Sequence, residues 1–152
     1  MAEPQKKPVP YEEDFYAWTV DQAARLRARA HNGIDWENAA EEIESLGKSD
    51  RRELHSRLRV LLHHLLKWKF QSIKRKSGWR RTIREQRRQV LLLLRDSPSL
   101  RSTLRSVTEE EYPHAVEEAV DETRIPTSAF PKACPFTVED ILDPDFYPEA
   151  AA

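Results

Sequence analysis

Apolar residues recur at helical spacing along most of the chain, so the sequence predicts helices rather than strands. With each residue advancing about 100° around a helix, Tyr11, Phe15, Trp18 and Leu26 fall on one narrow stripe, which predicts a first helix over about 11–31. Acidic residues at its start and arginines near its end suit the helix dipole. The Asn32-Gly33 pair is a natural stop after it.

Further helices follow, joined by short breaks. Asp35 caps a short second helix ending at Gly47, and a long third helix runs from Ser49 or Asp50 to about residue 76. The letters KSG at 76–78 break the third helix before a fourth over 79–95, and Ser97-Pro98 starts a fifth that reaches about residue 124. The sequence therefore predicts an all-α protein, an antiparallel bundle of about five helices, with a proline-rich C-terminal strap and a short terminal helix over 137–142.

The chain length suits one domain with one core. Hydrophobic residues make up 39% of the 152 residues and charged residues 34%, which leaves little apolar material for a second core. We expect a single helical domain over 11–148, with a flexible tail over 1–10 and another over 149–152. The first ten residues lack the apolar stretch of a signal peptide, and the run VLLLL at 90–94 is too short for a bilayer. The expectation is a cytoplasmic protein with no membrane partner.

Charge is segregated along the chain although the net charge is only −1. Residues 48–95 carry 16 Lys/Arg against three acids, a balance of +13, and the remainder carries nine against 23, a balance of −14. The basic block could attract nucleic acid or an acidic partner, or be neutralised by the acidic ends of the same chain. Because the two balances nearly cancel, the sequence favours internal neutralisation.

A turn at 47–49 would set acidic and basic residues of the second and third helices opposite each other. The predicted pairs are Glu44 with Arg52, Glu41 with His55, and Glu37 with Arg59. Exposed pairs of this kind contribute only about 0–1 kcal/mol each, so their predicted role is to fix the register of the hairpin.

The stretch LLHHLLKWKFQ at 61–71 places histidines and lysines among leucines. Its leucines define a buried arc, which predicts that His63 and Lys67 face solvent and that His64 and Trp68 lie at the edge of the arc. An enzyme would need a polar pocket between helices in which Glu41, His64 and Arg84 converge. The full candidate polar cluster is Glu41, Glu44, His64, Lys67, Arg84 and Glu85.

Motifs for metals, cofactors and covalent catalysis are missing from the sequence. Cys134 is the only cysteine, which excludes an internal disulfide and the spacings of zinc sites. The carboxylate-histidine spacing of di-iron bundles, Glu111-x-x-His114, occurs once where two copies are needed. With no phosphate loop or nucleophile elbow either, we predict no cofactor, no metal site and no catalytic residues.

Nucleic-acid binding is the main alternative to a protein-interaction role. The turn KRKSGWRR at 74–81 and the following helix place cations near Trp68 and Trp79, as in proteins that grip phosphates. Both tryptophans also fall on or beside apolar stripes, which favours core positions for them. The candidate nucleic-acid-binding residues are Lys74, Arg75, Lys76, Arg80, Arg84 and Arg87.

Six segments, in order, resemble a bacterial family named domain of unknown function 29, common in cyanobacteria. They are YEEDFYAW (11–18), DWENAAEEIESLG (35–47), LLHHLLKW (61–68), GWRRTIREQR (78–87), SPSL (97–100) and FPKACPFTVEDILDPDFYP (130–148). The resemblance implies a small all-helical protein with no established activity, substrate or cofactor, and no catalytic residue to carry over. The sequence thus favours a non-enzymatic interaction or scaffold module that binds an unknown protein or itself through its third and fourth helices. Nucleic-acid binding is the alternative and an enzyme the weaker one.

Overall fold

The computed structural model of the protein describes residues 7–152, except for the side chain of Phe15. Five α-helices occur in this part of the chain: α1 (Phe15–Arg27), α2 (Trp36–Phe70), α3 (Ser77–Asp96), α4 (Leu104–Thr123) and α5 (Val138–Leu142). Short 3-10 segments lie at Ser72–Lys74, Pro98–Thr103 and Thr127–Ala129. Residues 7–152 contain no strand, and the predicted all-α class is confirmed. Residues 1–6 of the predicted N-terminal tail lie outside the described residues.

Polar side chains begin three of the helices. Asp14 accepts a hydrogen bond from the Ala17 amide at 2.9 Å, and Asp35 accepts one from the Asn38 amide at 3.4 Å. Thr137 accepts one from the Asp140 amide at 3.1 Å at the start of α5. Each satisfies a helix N–H that has no partner within its own helix, so the predicted caps at Asp35 and before α5 are confirmed.

The predicted division of the second and third helices at Gly47 is wrong, because α2 is one continuous helix of 35 residues. A glycine inside a helix costs only about 1 kcal/mol relative to alanine. Gly47 is followed by Lys48, Ser49 and Asp50, none of which prevents helical geometry, so the helix continues. The predicted hairpin turn at 47–49 and its pairing of Glu44 with Arg52 are therefore wrong as well. α2 then ends at Phe70, earlier than predicted, and α3 begins at Ser77.

Contacts between residues divide the chain into two compact units, with the boundary between Ser49 and Asp50. In the first unit, α1 holds the turn that precedes α2. Trp18 Nε1 donates to Asp35 Oδ2 at 3.1 Å, while the Gln22 side chain bonds the Gly33 carbonyl at 3.0 Å and the Asp35 amide at 2.8 Å. The prediction of a single domain over 11–148 stays a prediction.

The second unit contains a leucine-rich core. The buried residues of α2 are Leu54, Leu58, Leu61, Leu62, Leu65, Leu66, Lys67 and Trp68. The six leucines and Trp68 belong to the same core cluster as Ile83 and Val90 of α3, Ala115 of α4 and Ile141 of α5. Burying one leucine contributes about 2 kcal/mol. The predicted leucine arc and the predicted core positions of Trp68 and Trp79 are confirmed.

No helix within residues 7–152 combines the length and apolar character that crossing a bilayer requires.

Candidate functional site

Four basic residues of α2 face the acidic residues of α4 in the second unit, and together they form what we call the α2–α4 charged row. The basic residues are His55, Arg59, His63 and Lys67, which recur every fourth position and so share one helix face. The pairs are His55 with Glu110 and Glu111, Arg59 with Glu111 and Glu118, His63 with Glu118 and Glu122, and Lys67 with Glu122. Part of the basic block is therefore neutralised inside the fold, as the charge balance favoured.

Lys67 is the most buried member of the charged row, with 2% of its surface exposed. Its Nζ lies 2.8 Å from Glu122 Oε1 and 4.6 Å from the centre of the Trp79 ring. Burial raises the pKa of Glu122, but the hydrogen bond and charge of Lys67 outweigh it, and the net shift is downward. The prediction that Lys67 faces solvent is wrong, because α4 supplies an acid that lets the ammonium be buried.

His63 of the row is also poorly exposed, as is its neighbour His64, and the prediction that His63 faces solvent is wrong. His63 Nε2 lies 2.8 Å from Glu122 Oε2, and its Nδ1 lies 3.3 Å from Glu118 Oε2. Burial lowers the pKa of His63, with smaller lowering contributions from His64 and Lys67, despite the two glutamates. Burial likewise lowers the pKa of His64, whose Nδ1 lies 2.9 Å from the Val60 carbonyl oxygen.

Replacing His63 by glutamine is expected to reduce the loss of stability on acidification. A histidine titrates near 6.5 in the unfolded chain and at a lower pKa here, so the unfolded state binds more protons as pH falls. The contribution is constant above about pH 7 and turns destabilising below it. Urea unfolding at several pH values between about 7 and 5 measures how the free energy of unfolding changes with pH. His114→Gln, at an exposed position, is the control. If the free energy of unfolding of the His63 variant changes with pH as steeply as that of the wild type, the pKa shift is contradicted.

The candidate polar cluster is divided between the two units of the chain. Glu41 and Glu44 are exposed on the part of α2 that belongs to the first unit. In the second unit, no hydrogen bond or ion pair joins His64, Arg84 and Glu85, all of which are described. Glu85 instead bonds its helix neighbours Arg88 and Gln89, which lower its pKa to about 2.

Three of the predicted nucleic-acid-binding arginines stack on aromatic rings of their own chain. The Arg75 guanidinium carbon lies 4.7 Å from the centre of the Trp68 ring. Arg80 lies 5.3 Å from the Trp68 ring and 4.4 Å from the Tyr147 ring, and Arg87 lies 5.3 Å from the Tyr147 ring. Such contacts are worth about 0.5–2 kcal/mol each, and they satisfy these cations without an acidic partner.

Arg87 fastens the C-terminal segment to α3. Its side chain, 2% exposed, donates hydrogen bonds to the carbonyl oxygens of Ile141 at 2.8 Å, Phe146 at 2.6 Å and Asp140 at 3.4 Å. Burial lowers its pKa, partly offset by Tyr147 and two aspartates. The Arg87 side chain is therefore engaged inside the fold, and we call it the Arg87 clamp.

The remaining nucleic-acid candidates stay available. Lys74, Lys76 and Arg84 are exposed and have no ion pair or side-chain hydrogen bond within residues 7–152. Arg75 is also exposed but donates to the Trp68 carbonyl at 2.9 Å and the Pro148 carbonyl at 3.5 Å. The exposed cations thus form a smaller basic patch than the sequence predicted.

Sequence reasoning missed the acceptors of Arg87 and the partners of the charged row. Backbone carbonyls carry no side-chain signal, so nothing in the sequence pointed to residues 140–146 as the Arg87 site. For the row a signal did exist. Glu111, Glu118 and Glu122 are spaced by seven and four residues, which places them on one face of α4 to match the four-residue spacing on α2.

Comparison with known proteins places the chain in a family. Neither the curated proteins nor the solved structures contain a significant match. The family model described as Domain of unknown function DUF29 matches residues 10–147, nearly the whole chain. The protein is therefore a member of the family of the domain of unknown function DUF29.

Proposed function

We propose that the protein is a non-enzymatic interaction module that associates with a second copy of itself. The supporting observation is an uncovered apolar stripe on the first half of α2, formed by Trp36, Ile43 and Leu46. These side chains are 62%, 69% and 69% exposed, and helical geometry places them within a sector of about 80°. Grouped large apolar residues on a surface are typical of binding sites.

Charge complementarity supports a second copy of the chain as the occupant of the stripe. Glu37, Glu41 and Glu44 are exposed beside it. The exposed face of α3 carries the opposite charge: Arg81 and Arg84 have no acidic partner among the described residues, and the partly exposed Leu91 lies on the same face. The first 49 residues hold six Lys/Arg and ten Asp/Glu, and the rest hold 19 and 16. The acid-flanked stripe of one copy therefore matches the α3 face of another.

A charge exchange tests this pairing. Glu41→Arg/Glu44→Arg makes both faces basic, and Arg81→Glu/Arg84→Glu makes both acidic, so each variant alone should sediment as a monomer. Mixed in equal amounts, the two variants should associate, because each again offers opposite charges to the other. Sedimentation velocity measures this, with Glu12→Arg/Glu13→Arg as the matched control in the first unit. An interface with a Kd near 1 μM would be filled at about 100 μM protein. A wild type that is monomeric at that concentration would refute the proposal, and so would a mixture of the two variants that stays monomeric.

The apolar part of the stripe needs its own variant. Ile43→Ser removes an exposed side chain, so it should leave thermal unfolding unchanged while weakening association about tenfold. Equal association of wild type and Ile43→Ser would show that the stripe is not the contact surface.

Nucleic-acid binding is the second candidate. It is supported by four exposed cations that have no ion pair in the described part of the chain: Lys74, Lys76, Arg81 and Arg84. Trp68 and Trp79 are buried, so contact would be to phosphates rather than to bases. Fluorescence anisotropy with labelled single- and double-stranded DNA and RNA should then show micromolar binding that weakens steeply with salt and is lost in Arg81→Glu/Arg84→Glu. Absence of binding at low salt would eliminate this candidate.

A further inference from the structure

A cavity of about 520 Å³ lies between the beginning of α4 and the strap that precedes α5. Its size falls within the range of small-molecule sites, about 300–1,000 Å³. Residues 101–109 line one side, and residues 133–139 line the other. None of the residues used so far to argue function lines it, so the cavity is separate from the α2 stripe and the charged row.

The lining of the cavity combines an apolar wall with a few polar groups. Leu104 and Phe136 are buried core residues that also line it. Thr108, another lining residue, is 4% exposed and its hydroxyl has no hydrogen-bond partner among the described residues. Buried hydroxyls are nearly always bonded, so an unsatisfied one in a cavity wall indicates a group that a bound molecule can satisfy.

The charges around the cavity decide what kind of molecule fits it. Arg105 is paired with Glu109 at 3.3 Å, so these two largely cancel. Arg101 is exposed and has no ion pair or side-chain hydrogen bond among the described residues, which leaves a guanidinium available beside an apolar wall. We infer that this cavity binds a small organic anion with an apolar body, which packs on Leu104 and Phe136 while Arg101 holds its charge.

Glu139 places a negative charge at the same cavity, so its replacement should affect anion binding in the opposite direction to that of Arg101. It is exposed, also lines the cavity and has no partner within residues 7–152. Its carboxylate repels a bound anion, so Glu139→Gln should strengthen binding while Arg101→Gln weakens it. Each change is expected to be about three- to tenfold, because both side chains are partly screened by solvent.

Cys134 provides a reporter inside the cavity. It is the only cysteine of the chain, it lines the cavity, and burial raises the pKa of its thiol. Alkylation by iodoacetamide, followed by intact mass, therefore reads this position alone. Anilinonaphthalene sulfonate is the probe, and phenylnaphthylamine, which lacks the sulfonate, is its neutral counterpart. Although the probe also adheres to exposed apolar surface, only binding in the cavity protects Cys134.

Saturating anilinonaphthalene sulfonate should slow alkylation of Cys134 several-fold, and phenylnaphthylamine should protect only at higher concentration. Arg101→Gln should shift protection to higher concentrations of the sulfonate and Glu139→Gln to lower ones. Arg95→Gln, an exposed arginine of α3 that does not line the cavity, should change neither. Absence of protection, equal protection by both probes, or equal effects of Arg101→Gln and Arg95→Gln would each overturn the inference. Unchanged thermal melting establishes that the variants are folded.

Discussion

Replacing Arg87 by leucine is expected to lower the free energy of unfolding by about 3–5 kcal/mol. The guanidinium is buried and donates to three carbonyl oxygens, at Asp140, Ile141 and Phe146. Leucine leaves these acceptors buried without a donor, at about 1–3 kcal/mol each before relaxation. The ring of Tyr147 also loses one of its two stacked cations. Urea unfolding followed by circular dichroism measures the change.

Two further variants separate the clamp from the charge. Arg87→Lys keeps the charge but cannot reach three carbonyls with the planar fork of a guanidinium, so an intermediate loss of about 2 kcal/mol is expected. Arg84 lies one turn earlier on α3, where it is exposed and has no side-chain partner among the described residues. Arg84→Leu should therefore change the free energy of unfolding by less than about 0.5 kcal/mol. Equal losses from Arg84→Leu and Arg87→Leu would show that the carbonyl contacts do not stabilise the fold.

The second large effect concerns the ion pair of Lys67 and Glu122, whose two ends differ in burial. The Lys67 side chain is 2% exposed and that of Glu122 is 51% exposed. Glu122→Ala leaves a buried ammonium without a counter-charge and is expected to cost about 2–4 kcal/mol. Lys67→Met keeps the packing against Trp79, and the half-exposed Glu122 stays hydrated. This change is therefore expected to lower the free energy of unfolding by less than about 1 kcal/mol.

A double-mutant cycle tests this asymmetry. Lys67→Met/Glu122→Ala should be about as stable as Lys67→Met alone, because the acid has nothing left to neutralise on α2 except His63. Asp121 lies next to Glu122, is exposed and has no side-chain partner among the described residues, so Asp121→Ala is the control and should be close to neutral. If Lys67→Met lowers the free energy of unfolding more than Glu122→Ala does, the burial of the ammonium is not what makes this ion pair stabilising.

The helical spacing of apolar residues was sufficient to predict the leucine face of α2, while a break signal at 76–78 and a capping signal at 137 predicted α3 and α5. Prediction failed where a second element decides the outcome. Gly47 is a local helix breaker by preference, but the residues on both sides favour helix and nothing else competes for them, so α2 continues. His63 and Lys67 are polar residues off the leucine arc of α2, and only the acids of α4 make their burial possible.

The candidate sites were less predictable than the fold for a related reason. The sequence identifies which residues are cations but not which acceptors they reach. Arg84 and Arg87 are three positions apart with the same side chain, yet one is exposed and the other is buried on backbone carbonyls of residues 140–146. The exposed stripe on α2 could not be predicted for the opposite reason, because its residues look buried from the sequence but are exposed. Trp36 and Ile43 have the pattern of core residues, and only the structure shows that nothing among the described residues covers them.

The Arg87 clamp has a consequence for protein synthesis. Its acceptors are 53 to 59 residues further along the chain, and Ile141 belongs to the same core cluster as the leucines of α2. A ribosome that has completed α2 and α3 has not yet made the segment that covers Arg87. Contacts of such long sequence separation form late in folding, so the nascent second unit keeps apolar surface uncovered until residues 140–146 emerge. Folding of this unit is therefore expected to wait until residues 140–146 have been translated, and premature termination before residue 140 should yield an aggregation-prone chain.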